Sequence, residues 1–154
     1  MTVSRRELEG EQAYFDNAAE HRERRRERAL DPDAGLAGIH PAAAAQIREA
    51  NLARASAMGA PGSAVAFRRI TEESGEHFYI GYFPILDEGY EPLVISWKTD
   101  KAAVFNEATR EQRLGLTAKR VYQTDGNTII DIVDDLLTEE GPETSAIVSR
   151  DSIL

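Results

Sequence analysis

A run of turn-forming residues at positions 58–64, with the sequence MGAPGSA, divides the 154-residue chain into two parts. The first part is rich in Ala, Arg and Glu, whereas the second holds most of the Val, Ile and Phe residues, which favour strands. The division predicts an α+β protein with a helical hairpin in residues 1–58, a small β-rich domain in 59–140 and a tail in 141–154. It also predicts that the β-rich part folds without the hairpin.

Residues 4–29 are predicted to form one long helix. Ser4 followed by Glu7 is typical of a capping box at a helix N-terminus. Apolar residues, among them Leu8 and Phe15, recur at three- and four-residue spacing. The spacing predicts a stripe that packs along the near half of the helix.

The far half of this helix carries arginine on the same stripe, at Arg22, Arg25 and Arg26 within the sequence HRERRRER. Glutamates three and four residues away predict ion pairs along a solvated face. Two other interpretations stay open, a protein-contact surface and a nucleic-acid contact. The interleaved glutamates and the lack of a neighbouring aromatic residue disfavour nucleic acid.

A second helix is predicted over residues 41–58, because Pro41 suits a first helical position. Its predicted inward face is small and apolar: Ala43, Ile47, Ala50, Leu52, Ala53 and Ala57. The two helices would form an antiparallel hairpin about 30 Å long. Its tip, residues 31–40, contains Asp31 and Asp33, which suit a turn and would also place acidic groups at the end of a projecting arm.

The second part of the chain is predicted to form a mostly antiparallel sheet. Short runs of β-branched and aromatic residues indicate strands at 65–70, 78–83, 93–97, 118–123 and 128–133. Turn-forming sequences at 72–76, 87–90 and 125–127 would join neighbouring strands as hairpins. Residues 100–112 are predicted to be a short helix or a loop, and residues 134–139 a last helical turn. Trp97 is predicted to anchor the core.

Composition and motifs argue against several kinds of chemistry. With 27 acidic and 18 basic residues the formal charge is −9, which disfavours a free-standing nucleic-acid binder. The chain has no cysteine, phosphate-binding loop, dinucleotide-binding glycine motif or nucleophile elbow. We therefore expect no catalysis and no cofactor. No apolar run suits a membrane span or a signal peptide, so we expect a cytoplasmic protein without a membrane partner.

One acidic cluster leaves a catalytic alternative open. Asp131, Asp134 and Asp135 could hold Mg²⁺ through their carboxylate oxygens, as in a metal-dependent enzyme. Such a run is also typical of a solvated strand end that leads into a helix N-terminus, where the helix dipole stabilises acidic side chains.

Four segments, in matching order and spacing, resemble the N-terminal module of the HelD-type RNA polymerase-associated helicases. They are EQAYFDNAAEHRERRRERA at 11–29, GAPGSAVAFRRITEESGEHFYIGYFPILD at 59–87, PLVISWKTDKAAVFNEAT at 92–109 and LGLTAKRVYQTDGNTIIDIVDDLL at 114–137. The second segment is similar to the family pattern AVAFGRID…LYIGR, and the third to PLVVDWRAPAAAPFYEAT. The chain departs from the latter at residues 97–100 and 104–106. Family members continue into an ATP-dependent motor, so we expect either a fragment or a stand-alone protein built from the module.

The resemblance implies an arm, a helical hairpin on a small β-rich base, that enters the secondary channel of RNA polymerase as Gre-type cleavage factors do. We therefore expect the chain to bind core RNA polymerase without catalysis and without direct contact to nucleic acid. The residues expected to contact the partner are Arg22, Arg25, Arg26, Asp31 and Asp33. The alternative is an interaction or decoy protein that binds a full-length helicase homologue.

Overall fold

The fold is known from a computed structural model that describes residues 3–31 and 38–138. Its elements are α1 (Arg5–Leu30), α2 (Pro41–Ser56), β1 (Arg68–Glu72), β2 (His77–Gly81), β3 (Ile85–Leu86), β4 (Pro92–Ser96), α3 (Asp100–Glu107), β5 (Leu116–Asp125) and β6 (Thr128–Leu136). Helices precede a mostly antiparallel sheet, so the predicted α+β class is confirmed. None of the helices in the described ranges has the length and apolar character needed to cross a bilayer.

The helix boundaries follow the local signals in the sequence. The Ser4 side chain accepts a hydrogen bond of 3.1 Å from the Glu7 backbone N–H, which fixes the start of α1. Helix α2 begins at Pro41, and the His40 side chain accepts from the backbone N–H of Ala42. After α1 ends, α2 runs back alongside its C-terminal part, and the chain then continues along α1 towards its N-terminal half.

The predicted inward face of α2 is largely wrong. Ala44 and Ala55 are the buried residues of this helix, whereas Leu52 keeps 57% of its surface exposed and Ala50 is exposed as well. The physical reason is that α2 packs against α1 along one narrow stripe. Most of its circumference is therefore left exposed.

The six strands lie in the order β3-β4-β2-β1-β5-β6. Every neighbouring pair is antiparallel except β2 and β4, which pair in parallel through Ile80 with Ile95 and Gly81 with Ser96. The predicted hairpin between these two strands is therefore wrong, and residues 87–90 instead join β3 to β4. Strand β3 has two residues, which is too short to show the alternation that reveals a strand.

Two predicted boundaries also change. Strand β1 begins at Arg68 rather than at residue 65, because the backbone N–H of Val65 donates to the Asn127 side chain instead of to a neighbouring strand. Strand β6 continues through Leu136, so the predicted helical turn over residues 134–139 is wrong as far as the structure describes it, to residue 138.

Both faces of the sheet are covered. Helix α3 and the residues after it pack on one face, where Ile70, Ile80 and Leu116 are buried. Helix α1 covers the other face, and its Phe15 side chain is fully buried together with Tyr79 and Tyr122. The first half of α1 therefore belongs to the core of the β-rich part, although it precedes the turn at residues 58–64.

The packing of α1 on the sheet changes what we predict for the β-rich part on its own. We expect a fragment of residues 59–154 to be unfolded, because it exposes the aromatic core under Phe15, and filling such a site is worth about 3–5 kcal/mol for a single Phe. Backbone amide NMR spectra of the fragment test this expectation. A synthetic peptide of residues 3–30, added in trans, should restore dispersed resonances. A well-dispersed spectrum without the peptide would contradict it.

Candidate functional site

A row of polar side chains crosses four neighbouring strands on the face that α1 covers. Tyr79 lies opposite Arg69, Arg69 opposite Arg120, and Arg120 opposite Asp134. The two arginines therefore stand side by side in the middle of the sheet. Like charges on adjacent strands repel, so they require an anion between them.

Glu11 of α1 supplies that anion. Its Oε2 atom accepts from Arg120 Nη1 at 2.8 Å, from Arg69 Nη1 at 3.0 Å and from the Tyr122 hydroxyl. Its Oε1 atom accepts from the Tyr79 hydroxyl at 2.5 Å. Glu11 is 5% exposed, so these four donors replace its water almost completely.

Arg120 also binds two other carboxylates, those of Asp134 and Glu7. Arg120 donates to both oxygens of Asp134, at 2.5 Å and 2.7 Å, and also to Glu7 one turn before Glu11. Two acidic residues of α1 thus meet one arginine of β5. This cluster fixes the position of α1 along the sheet, because a shift by one turn would separate the buried Glu11 carboxylate from its four donors and would leave Arg120 with Asp134 alone.

The pKa values of the cluster follow from burial and hydrogen bonding. Burial alone raises the pKa of the Glu11 carboxyl, but hydrogen bonds from Tyr122, Tyr79 and Arg120 and the charge of Arg69 outweigh it, so the net shift is downward. Burial and the neighbouring Glu11 carboxylate raise the pKa of both tyrosines. The cluster is therefore held with Glu11 ionised and the tyrosines protonated.

The sequence contains one signal for this cluster. Glu11 lies three residues after Leu8 and four before Phe15, on the apolar stripe of α1 that packs against the sheet. An acidic residue on a packed stripe indicates a buried ion pair. Its partners on β1 and β5 could not be identified, because the strand register is not visible in the sequence.

The arginines of the far half of α1 lie in two different environments. Arg22 and Arg26 are buried, with 4% and 8% of their surface exposed, so the expectation of a solvated face is wrong for both. Arg22 Nη2 donates to the Ser63 carbonyl at 2.9 Å, and Arg26 donates to the Gly59 carbonyl. Burial lowers the pKa of Arg22, opposed by its bond to Glu23. These two arginines hold the turn after α2 against α1.

Arg25 faces another side of α1 and fixes a loop of the sheet. Its guanidinium donates to the Leu86 carbonyl at 3.1 Å and to the Asp87 carbonyl at 2.5 Å, and lies 5.0 Å from the ring centre of Tyr90. Tyr90 adopts a left-handed backbone conformation with φ of 64° and remains 72% exposed. The neighbouring Glu88 binds Arg28 at 3.0 Å.

The two acidic residues of the predicted tip are described only in part. Asp31 caps the C-terminus of α1, and its backbone N–H donates to the Arg28 carbonyl at 3.4 Å. Asp33 lies outside the described residues. Of the five predicted contact residues, the structure thus brings Arg22, Arg25 and Arg26 to the junction between α1 and the rest of the protein, with Asp31 at the helix end.

The acidic run of β6 is divided between the two faces of the sheet. Asp134 binds Arg120 under α1, whereas Asp135 lies on the opposite face and binds Arg110 at 3.4 Å. Asp131 accepts from the backbone N–H of Ile132. Over residues 3–31 and 38–138, no three His, Cys, Asp or Glu side chains converge as metal ligands would.

Trp97 does not anchor the core as predicted, because 47% of its surface is exposed. It contacts Tyr82 in an edge-to-face arrangement, with ring centres 6.5 Å apart, and Tyr82 stacks on Phe67 at 4.6 Å. Tyr82 is itself 64% exposed. The three rings form a row of aromatic surface where β2 and β4 end.

The buried carboxylate predicts a measurable loss of stability on substitution. We expect Glu11→Gln to lower the free energy of unfolding by about 3 kcal/mol, since removing one charge of a buried cluster leaves its partners uncompensated. Urea unfolding measures the change. The control is Glu9→Gln, the same substitution at an exposed position of α1, which should change stability by less than about 0.5 kcal/mol. Equal effects of the two variants would refute the role of Glu11.

The lowered pKa of Glu11 predicts a pH dependence of definite sign. Its stabilising contribution is complete above the pKa of glutamate in the unfolded chain, about 4.3, and is lost as the pH falls through the lower value in the folded protein. The difference in unfolding free energy between the native chain and Glu11→Gln should therefore be constant above about pH 5 and shrink below about pH 4. A difference that grows on acidification contradicts the assignment.

Comparison with known sequences places this fold in a family. A profile described as the N-terminal domain of the DNA helicase IV HelD matches residues 8–147, which include nearly all of α1 and every later helix and strand. No curated protein sequence matches the chain. The match spans most of the 154 residues and agrees with the four segments quoted above. The chain belongs to the family of HelD N-terminal domains.

Proposed function

We propose that the protein binds core RNA polymerase through its helical hairpin and that it does so without catalysis. The observation that carries the proposal is the way the hairpin is built. Helix α2 packs on α1 and leaves most of its own surface exposed, while α1 is held on the sheet by buried charged groups and by the contacts of Arg25 and Arg28 with the loop after β3. An arm that contacts a partner needs this combination of an exposed helix and a fixed base.

The fixed base is supported by the buried arginines. Arg22 and Arg26 hold the turn after α2, and Glu11 and Glu7 hold α1 on the sheet through Arg120. Separating α1 from the sheet or from this turn would break several hydrogen bonds of buried charged groups at once, at a cost of several kcal/mol. The base thus keeps the direction of the hairpin relative to the sheet within narrow limits.

The exposed helix is α2, whose surface away from α1 is not covered by other described residues. Leu52 is 57% exposed and Leu30, at the end of α1, is 46% exposed. Large apolar residues on such a surface are suited to contact a partner. Under this proposal Arg22 and Arg26 act by orienting the hairpin, while Arg25, Asp31 and Asp33 remain proposed contacts at its sides and tip.

The non-catalytic part of the proposal is supported by the motifs of the chain and by its acidic residues. The 154 residues contain no phosphate-binding loop, so they lack the glycines and lysine that hold the phosphates of ATP in a motor of that class. The strongest candidate for metal catalysis was the run at residues 131–135. Asp134 and Asp135 bind arginines on opposite faces of β6, which does not suit a shared metal ion.

A second candidate is favoured by the aromatic row of Phe67, Tyr82 and Trp97. Exposed aromatic rings that contact one another are typical of protein interfaces. Such a row would suit a protein that associates with a full-length helicase homologue. Recovery of that homologue, rather than of polymerase subunits, would favour this candidate.

The proposal predicts a binding defect confined to the hairpin. The purified chain should co-sediment with core RNA polymerase, and Leu52→Asp should weaken the complex by about tenfold because it places a charge on the contact surface. The matched control is Ile130→Asp, an equally apolar and 62% exposed residue on β6, which should bind like the native chain. Absence of co-sedimentation, or equal weakening by both variants, would show that the hairpin is not the contact.

A further inference from the structure

A groove of about 440 Å³ runs between α1 and α2 on the side away from the turn at residues 59–63. One stripe of each helix lines it. Helix α1 contributes Arg25, Arg28 and Ala29, at spacings of three and four residues. Helix α2 contributes residues at spacings of four and three along one side, Ile47, Asn51 and Arg54, and Met58 follows two residues after the end of the helix.

The groove has an apolar floor and a basic rim. Ala29, Ile47 and Met58 are half-buried and lie between the three arginines. These apolar side chains are already partly shielded from water by the two helices, so covering the rest of their surface is favourable. An apolar stripe of matching width would bury it completely.

The positive charge of the rim is only partly balanced. Arg28 binds the carboxylate of Glu88. Arg25, in contrast, donates to the carbonyls of Leu86 and Asp87, and within residues 3–31 and 38–138 no carboxylate forms a salt bridge with it or with Arg54. Arg54 donates to the side-chain oxygen of Asn51, which carries no charge. Among the described residues, Arg54 therefore lines the groove without an ion-pair partner, and Arg25 is bound to uncharged carbonyls and the Tyr90 ring, in a chain whose formal charge is −9.

We propose that this groove binds an acidic amphipathic helix of a partner protein. The apolar floor fits a helix with apolar residues at i, i+3, i+4 and i+7, and the basic rim fits carboxylates on both sides of that stripe. Bound in this way, the partner becomes the third helix beside α1 and α2. The proposal concerns the C-terminal part of α1 and the facing side of α2, and it does not require polymerase to be the partner.

Two other occupants fit less well. Single-stranded nucleic acid would match the arginines, but the groove offers Ala, Ile and Met where a base needs an aromatic ring to stack on. A second copy of the chain would have to present an acidic amphipathic helix. Among the described helices, α1 uses its acidic Glu7 and Glu11 on its own sheet, and α3 has eight residues.

The test uses a fluorescent synthetic peptide with leucine at i, i+3, i+4 and i+7 and glutamate between, and a scrambled peptide of the same composition. Fluorescence anisotropy of the full chain with each peptide should show binding of the patterned peptide alone, weakened by added salt. Arg54→Glu should reduce the affinity about tenfold, because it replaces an attraction by a repulsion. The control is Arg48→Glu, the same charge change at an exposed residue of α2 that does not line the groove.

Three results would overturn the proposal. The first is that the patterned and scrambled peptides bind equally or that neither binds. The second is that Arg54→Glu and Arg48→Glu change the affinity equally. The third is that a single-stranded oligonucleotide competes more strongly than unlabelled peptide. A dimer of the native chain that Arg54→Glu converts to monomer would assign the groove to a second copy instead. Because the peptide assay contains no polymerase, its failure is distinct from failure of the proposed function.

Discussion

The structure depends on a single buried carboxylate. Glu11 lies between two arginines that the strand register places side by side, and without it the centre of the sheet would hold two adjacent positive charges under a helix. Burying an ion cluster of this kind contributes little net stability compared with apolar packing. What it provides is a fixed position, since α1 has one placement in which Glu7, Glu11 and Phe15 all find their partners.

Charged groups also determine the second junction of α1, which joins its far half to the turn after α2; the first is the contact of Glu11 with the sheet. The stripe of α1 that begins with Leu8 and Phe15 continues through Arg22 and Arg26, so one face of the helix is apolar at its base and cationic further along. The cationic part is nonetheless buried, because backbone carbonyls at Gly59 and Ser63 accept its hydrogen bonds. Long arginine side chains thereby bridge a helix to an irregular turn whose backbone carbonyls need donors.

These two junctions suit the role proposed for the protein within the family of HelD N-terminal domains. The hairpin is fixed at its base by groups that are costly to separate and is exposed along the outer side of α2. The groove between the helices lies next to the fixed base, so a partner helix bound there would contact a surface already held in place. The proposed polymerase contact and the proposed groove share Arg25 and otherwise use different residues of the hairpin.

The sequence by itself determined the class, the helices and most of the strands, because capping residues, turn residues and hydrophobic spacing act within a few positions of one another. Ser4, Pro41 and the turn at residues 125–127 are local signals of this kind. Tertiary structure alone decided which charges are buried: Arg22 and Arg24 lie two positions apart in one arginine-rich run, yet the first is buried and the second is exposed. It also decided that β2 pairs in parallel with β4. The partners of Glu11 were decided in the same way, since Arg69 and Arg120 follow it in the chain by 58 and 109 residues. Such contacts depend on strand register and helix placement, which follow from the packing of the whole core and leave no trace in the neighbouring sequence.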